Sequence, residues 1–115
     1  MSDPATAPLR LSVLVPAWND HVHLTQLLPT LVRLDTLHEV IVADASPDPR
    51  TAQAVEECGG IYLRAAEPNR GEQMNLAAER ATGDVLIFHH ADSILNEAHV
   101  DAIVHALHEI GRAHV

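Results

Sequence analysis

The amino-acid sequence predicts an α/β domain with a Rossmann-like parallel sheet flanked by helices. Four short apolar runs rich in strand-forming residues alternate with four predicted helices, the first and last of which carry apolar residues at three- and four-residue steps. This alternation is typical of a parallel sheet whose strands are joined by right-handed helical crossovers. Polar residues follow three of the apolar runs directly, as ligand-binding residues do at the carboxyl ends of parallel strands.

Composition and charge limit the possible classes of function. At 115 residues the chain is at most one domain, and its 16 acidic residues outnumber seven basic residues, all arginine, for a net charge of -9. This balance argues against binding to nucleic acid or to anionic membranes. The single cysteine, Cys58, excludes an internal disulfide and fits the reducing cytoplasm. The polar residues 1–8 are expected to form a disordered tail, and no apolar run approaches the roughly 20 residues of a membrane span.

The first strand is predicted at Leu9 to Val15, and Pro16 is expected to end it because proline cannot donate to a sheet ladder. A loop follows as far as Asp20. The helix after the loop carries leucines at helical spacing between Val22 and Leu34. Trp18, in the loop, is either a lid over the edge of the core or an aromatic wall for a ring-bearing ligand.

The second strand is predicted at Glu39 to Ala43, and Asp44 stands where the strand stops. Asp48 followed by Pro49 predicts a helix start, with an acidic cap and then proline at the first helical position. Two consecutive glycines are predicted to end that helix. Asp48 therefore has a structural role, whereas the sequence offers none for Asp44, which we expect to contact a ligand.

The third strand is short, Ile61 to Leu63, and the helix that follows is predicted over Glu72 to Ala81. Arg70 and Gln73 lie at the start of this helix, where backbone N–H groups and the helix dipole attract anions. Arg70 is thus either an anion ligand or a solvated surface arginine. Gly83 is the predicted stop of the helix.

The fourth strand, Val85 to Phe88, is apolar and ends abruptly in two histidines, an alanine and Asp92. Taken alone, this stretch is either a strand end that bears ligands or a strand followed by a polar loop. Asn96 is predicted to cap a last helix with an apolar stripe. The stripe consists of Val100, Ile103, Val104 and Leu107.

Three sets of polar residues are expected at one edge of the sheet. They are the Pro16 to Asp20 loop, Asp44 to Ser46, and His90 to Asp92, because each follows an apolar strand directly. Two carboxylates and an imidazole that meet at one edge suit a divalent cation. We therefore expect Asp44, Asp92 and the loop to cluster in a sheet of strand order 3-2-1-4.

Together these motifs resemble the N-terminal, nucleotide-binding half of a family 2 glycosyltransferase with the glycosyltransferase A fold. The family's first strand and its Pro-aromatic-Asn loop resemble LSVLVPAWND, and its second strand with a terminal acid resembles EVIVADASPD. The segment NRGEQMNLAAERATGDVLIFHHADS resembles the family's helix, strand and Asp-X-Asp metal motif. Its sequence pattern is that of a bacterial subgroup with His-Ala-Asp in place of the acidic motif. The resemblance covers about residues 9–107, within a domain expected to span 9–108.

The resemblance implies transfer of a sugar from a nucleoside-diphosphate sugar to a hydroxyl acceptor, saccharide or lipid-linked, with inversion at the anomeric carbon. It assigns the nucleoside and the diphosphate to Pro16, Ala17, Trp18, Asn19, Asp44, Ser46, Arg70 and Gln73. It assigns Mg²⁺ or Mn²⁺ to Asp92, with His90 as an assistant because histidine replaces the first acid of the motif. A metal there stabilises charge that develops on the departing diphosphate.

Only the first half of such enzymes is covered by the resemblance. The general base that takes the acceptor's proton is therefore expected beyond residue 115, and the chain alone is expected to be inactive. Residues 109–115 share nothing with the family pattern and match the translation of a common sequencing adapter. We expect them to be a non-native tail, and we expect the protein to be cytoplasmic.

Three other classes of protein compete with this interpretation. A nucleotidyltransferase should have a glycine-rich basic loop after the first strand, which PAWND is not. A receiver-type phosphoacceptor domain should have clustered acids there and a lysine late in the chain, and this sequence has no lysine. A module that binds nucleotide sugars without catalysis stays open, because His90 weakens the metal motif.

Overall fold

The structure is a computed structural model that describes residues 9–93 and 95–113, with side chains as far as residue 109. Four strands alternate with four helices, and the strands form one parallel sheet in the order β3-β2-β1-β4. The predicted fold class and strand order are confirmed. The elements are β1 (Leu11–Ala17), α1 (His21–Leu31), β2 (Leu37–Asp44), α2 (Arg50–Glu57), β3 (Ile61–Arg64), α3 (Arg70–Arg80), β4 (Val85–Phe88) and α4 (Glu97–Ala113).

The two faces of the sheet are covered unequally. Alternate residues of β1 point to opposite faces, as the strand period requires. One face packs against α1, α2 and α4 and holds most of the core, whereas the other packs against α3. The larger cluster includes Leu11, Val13, Val15, Leu24, Leu28, Leu31, Val42, Val55 and Val100, and the smaller one consists of Leu14, Ile41, Ala43 and Ala77.

Pro16 does not end the first strand, contrary to the prediction, because β1 continues through it to Ala17. The carbonyl of Leu14 accepts a hydrogen bond from the backbone N–H of His89, so this side of β1 faces β4. Pro16 faces the same side by the two-residue period of the strand, beyond the last residue of β4, Phe88. A missing N–H is tolerated there because, in the part of the chain that the structure describes, the strand on that side has already ended.

Capping residues fix the helix starts much as predicted. Helix α2 begins at Arg50 with Pro49 in the N-cap position, one residue later than predicted, and Oδ1 of Asp48 accepts the backbone N–H of Arg50 at 2.9 Å, a structural role for this acid. Oδ1 of Asn96 accepts the N–H of His99 at 3.0 Å at the start of α4, as predicted. Oδ1 of Asn69 accepts the N–H of Glu72 at 3.0 Å, so α3 begins two residues earlier than its expected start.

Gly83 does not stop α3, which ends at Arg80 with the next residue already extended. Glycine is required there for a different reason. A Cβ atom at Gly83 would lie 2.4 Å from Oγ of Ser12 and 2.8 Å from the carbonyl oxygen of Arg10. The turn before β4 therefore passes so close to the start of β1 that no side chain fits between them.

A hydrogen-bonded network joins this turn to the sheet at its amino-terminal edge. Oε2 of Glu39 accepts the hydroxyl of Ser12 and the backbone N–H of Thr82, both at 2.6 Å. Oγ of Ser12 in turn accepts the N–H of Gly83 at 3.0 Å. Asp84 pairs with Arg10 at 3.3 Å, so this acid lies at the edge opposite the predicted site.

Acid is expected to destabilise the protein in part through this network. Burial alone would raise the pKa of Glu39, but hydrogen bonds from Ser12 and Thr82 hold that pKa below its ordinary value of 4.5. The backbone N–H and side chain of Arg10 likewise lower the pKa of Asp84 below 3.8. A carboxylate whose pKa is lower in the folded state stabilises the fold above its unfolded pKa and loses that effect as the pH falls through the folded pKa.

The urea midpoint should therefore decrease as the pH is lowered from 6 to 3. The Glu39→Gln variant should show a shallower fall, because glutamine does not titrate. A Glu39→Gln curve parallel to that of the wild type would contradict this assignment.

Two expectations concern the ends of the chain. The tail expected at residues 1–8 lies outside the described residues. Helix α4 continues past residue 109 to Ala113, and the non-native origin of residues 109–115 stays a prediction. Within the described part of the chain, no helix combines the length and the apolarity that crossing a membrane requires.

Candidate functional site

The carboxyl ends of the strands form the edge of the sheet where the site was predicted. Ala17 and Asp44, the last residues of β1 and β2, are paired in register. The backbone N–H of Ala45 donates to the carbonyl of Ala17 at 3.0 Å, so the loops after the two strands start side by side.

Asp44 is fully buried and has a structural role, contrary to the expectation that it has none. Its Oδ1 accepts the backbone N–H of Ser46 at 3.0 Å and the Ser46 hydroxyl at 2.5 Å. Its Oδ2 accepts the hydroxyl of Tyr62 at 2.8 Å and lies 3.7 Å from the guanidinium of Arg64. Arg64 also donates to the carbonyl of Ser46. The carboxylate therefore organises the loop after β2 from beneath.

Tyr62 and Arg64 were not singled out in the sequence. They lie in β3 and reach Asp44 across the sheet, a contact between residues 18 and 20 positions apart that no local pattern reveals. Burial raises the pKa of Tyr62, and the neighbouring Asp44 carboxylate raises it further. The phenol is therefore a neutral hydrogen-bond donor over the whole physiological range.

The loop after β1 is tied to this cluster through Asn19. The backbone N–H of Asn19 donates to Oγ of Ser46 at 2.6 Å. Asn19 has φ of 55° in the left-handed region, which asparagine tolerates better than most residues. Oδ2 of Asp20 accepts the N–H of Trp18 at 2.9 Å. The conformation of the loop therefore depends on hydrogen bonds to its own Asp20 and to Ser46 in the loop after β2.

Gln73 lies beneath the same edge and is 4% exposed. Its Nε2 donates to the carbonyl oxygens of Ala17 and Ala43, each at 2.8 Å. The side chain thus bridges the ends of β1 and β2 from the first turn of α3. Its predicted place near the ribose or diphosphate stays a prediction.

A cavity of about 330 Å³ opens above this edge. Trp18 is 53% exposed, so it is a wall of the cavity and not a lid over the core. Arg70, which also lines the cavity, is exposed at the amino-terminal end of α3. The cavity therefore joins an aromatic surface to a guanidinium and a helix N-terminus, groups that suit a ring and an anion. Its lining consists of Pro16, Ala17, Trp18, Asp20, Pro68, Arg70 and Gln73.

Asp92 lies in a separate cavity of about 270 Å³, between the loop after β4 and α1. Asp92 and His90 are both exposed, and the turn between them is closed by a 2.9 Å contact from Nε2 of His89 to the carbonyl oxygen of Ser93. No three histidine, cysteine or acidic side chains in residues 9–93 and 95–109 are grouped so that they could hold a metal ion. The predicted cluster of Asp44, Asp92 and an imidazole is therefore not found among these residues. Asp44 is buried among its own hydrogen-bond donors.

Known proteins with similar sequences support the predicted family. The family model described as "Glycosyl transferase family 2" matches residues 12–115. The chain is 32% identical over 102 residues to 4,4'-diaponeurosporenoate glycosyltransferase of Staphylococcus haemolyticus (strain JCSC1435), a match that covers 82% of this chain and 27% of that protein.

Solved structures of glycosyltransferases share the fold. The crystal structure of Staphylococcus aureus TarS matches with a TM-score of 0.71 and 27% identity, covering 87% of this chain and 20% of that chain. The mannosyltransferase PcManGT from Pyrobaculum calidifontis, in complex with GDP-Man and Mn²⁺, matches with a TM-score of 0.73 and 26% identity, covering 90% and 33%. The chain thus spans about a quarter of the length of its curated relative and a third or less of these structures.

Proposed function

Because the chain belongs to glycosyl transferase family 2, we propose that it forms the donor-binding part of an enzyme that transfers a sugar from a nucleoside-diphosphate sugar to a hydroxyl acceptor. The observation that carries this proposal is the cavity at the carboxyl edge of the sheet. One of its walls is Trp18, and another is Arg70 at a helix N-terminus. A base and a diphosphate need these two kinds of surface in one place.

In this proposal the nucleoside lies against the loop that consists of Pro16, Ala17, Trp18 and Asn19. The diphosphate lies toward Arg70, whose guanidinium can bind two phosphate oxygens at once. Asp44 and Ser46 support the loop from beneath, and Gln73 holds the ends of the two strands together.

Asp92 is the proposed ligand of Mg²⁺ or Mn²⁺, with His90 as an assistant. Both side chains are exposed on the loop after β4, and carboxylate oxygen and imidazole nitrogen are ligands that Mn²⁺ accepts. PcManGT, a structural neighbour, was solved with GDP-Man and Mn²⁺. A bound divalent cation supplies Lewis-acid stabilisation of the charge on the leaving diphosphate. The role of Asp92 in this proposal is to hold the cation.

The acceptor is proposed to attack the anomeric carbon from the face opposite the diphosphate, which inverts the configuration there. The base that takes its proton must lie within hydrogen-bond reach. We place this base outside these 115 residues. Asp44 is buried, Asp84 pairs with Arg10 at the opposite edge, and Asp48 pairs with Arg50.

Replacing Asp92 by alanine is expected to remove the metal-dependent part of donor binding. Calorimetric titration with GDP-mannose and with UDP-glucose, each with and without Mn²⁺, should show affinity that Mn²⁺ strengthens in the wild type. Loss of a metal ligand should weaken that affinity by about tenfold or more. Asp101→Ala, which removes an exposed carboxylate from α4, is the matched control and should bind as the wild type does. Unchanged Mn²⁺-dependent binding in Asp92→Ala would sink the metal assignment.

A nucleotide-sugar-binding module without catalysis is the second candidate. The absence of a three-ligand metal group within residues 9–93 and 95–109 favours it. Release of nucleoside diphosphate that depends on an added acceptor would support the enzyme, and donor binding without release by the full-length protein would support the module.

A further inference from the structure

We infer that Tyr62 is a positioning residue for the donor cavity, acting through Asp44 and Ser46 on the loop that carries Trp18 and Asn19. This inference rests on the proposed function, because it assigns to Tyr62 a part in binding the donor. Tyr62 belongs to β3 and is not among the residues that line the cavity, so its effect must pass through the residues between them.

The hydrogen bonds between Tyr62 and Asn19 form one continuous chain. The Tyr62 hydroxyl donates to Oδ2 of Asp44 at 2.8 Å. The Ser46 hydroxyl donates to Oδ1 of Asp44 at 2.5 Å. A hydroxyl has one proton, so Oγ of Ser46 must act as the acceptor of the Asn19 N–H at 2.6 Å. Every bond in the chain is thereby directed toward the carboxylate.

Burial makes this chain sensitive to the loss of one donor. Asp44 and Ser46 are both 0% exposed, so water cannot replace a missing partner. A buried carboxylate needs hydrogen bonds to offset the cost of leaving water. If Tyr62 no longer donates, Oδ2 keeps the guanidinium of Arg64 at 3.7 Å, and we expect the carboxylate to shift toward it. Ser46 must follow the carboxylate, because its backbone N–H and its hydroxyl both donate hydrogen bonds to Oδ1 of Asp44.

The loop after β1 is where such a shift affects the cavity. Asn19 is held at φ of 55°, a conformation that costs energy in a residue other than glycine and persists where surrounding contacts fix it. Its bond to Ser46 is one of those contacts. Trp18 precedes Asn19 directly and lines the cavity, so a change at Asn19 moves an aromatic wall of the donor site.

The test uses Trp18, the only tryptophan in the chain, as a local reporter. Its emission maximum and its quenching by iodide are measured in the wild type, Tyr62→Phe, Ser46→Ala and the double variant. Binding of GDP and of UDP, each with Mn²⁺, is measured by calorimetry in the same four proteins. We expect about a tenfold loss of nucleotide affinity in Tyr62→Phe, which corresponds to about 1.4 kcal/mol.

Ser12→Ala is the matched control. Ser12 is also 0% exposed, donates its hydroxyl to a carboxylate and accepts a backbone N–H, but it lies at the opposite edge of the sheet. This variant should lower the melting temperature without changing Trp18 emission or nucleotide affinity. Tyr62→Phe and Ser46→Ala should each change Trp18 emission and nucleotide affinity. The double variant should lose little more affinity than either single variant, since the two substitutions act on one chain of hydrogen bonds.

The inference is overturned if Tyr62→Phe behaves as Ser12→Ala does, with lower stability and unchanged Trp18 emission. It is also overturned if affinity falls while Trp18 emission stays constant, or if the effects of the two substitutions simply add. If Tyr62→Phe does not fold, the comparison of Ser46→Ala with Ser12→Ala tests the inference, again by Trp18 emission and nucleotide affinity. A wild type that binds neither nucleotide refutes the proposed function, and Trp18 emission still tests the coupling in that case.

Discussion

Replacing Gly83 by alanine is expected to lower the free energy of unfolding by about 3 kcal/mol, the upper end of what overpacking a closely fitted site costs. The added Cβ would lie 2.4 Å from Oγ of Ser12 and 3.0 Å from its backbone nitrogen. The hydroxyl of Ser12 cannot simply rotate away, because it bonds Glu39 and accepts the N–H of Gly83. The turn must therefore separate from β1.

Urea denaturation measures this effect, and Gly71→Ala provides the control. A Cβ at Gly71 would meet only Oδ1 of Asn69, at 3.4 Å, and alanine is the better helix former. Gly71→Ala should therefore leave the midpoint unchanged or raise it slightly. A Gly83→Ala variant within about 0.5 kcal/mol of the wild type, the usual range for a neutral surface substitution, would show that the close approach is wrong.

Asp44→Ala is expected to destabilise the protein by about 2–4 kcal/mol, because hydrogen bonds to a buried charged group contribute about 1.5–3 kcal/mol and this carboxylate accepts several of them. The substitution leaves the hydroxyls of Tyr62 and Ser46 without their acceptor inside the protein. It also leaves the guanidinium of Arg64 without its nearby carboxylate. A domain of this size is stable by only about 5–15 kcal/mol in total, so the variant should lose a large share of its stability.

The control for Asp44→Ala is Asp35→Ala. Asp35 is an exposed residue between α1 and β2, and its loss should change stability by no more than about 0.5 kcal/mol. Melting temperatures and urea midpoints of the two variants compare the same chemical change at a buried and an exposed position. Equal, small losses in both variants would mean that Asp44 is not the organising residue of its loop.

Local patterns in the sequence predict the order of the elements and the helix starts. The alternation of apolar runs and helical stripes is a local property, as are Asp48 before Pro49 and Asn96 before α4, and each of these is found in the structure. The predicted place of the candidate site also follows from the alternation of strands and helices, because the carboxyl ends of parallel strands lie at the same edge of the sheet.

Features that depend on neighbouring strands could not be read from the sequence. Whether Pro16 ends a strand depends on which side of β1 lacks a partner, and that is set where β4 stops. Gly83 is needed because β1 passes close to it, not because a helix ends there. The burial of Asp44 depends on Tyr62 and Arg64 in another strand.

The strand order also has a consequence for the chain as it leaves the ribosome. β1 is made first and lies between β2 and β4, but β4 is made only after 74 residues separate Arg10 from its partner Asp84. At about 5 to 20 residues per second, synthesis of that stretch takes roughly 4 to 15 seconds. During this time one side of the central strand can pair with any other unpaired strand nearby. Pairing of residues 85–88 with β1 closes that side, so the central strand is protected only once these residues have emerged.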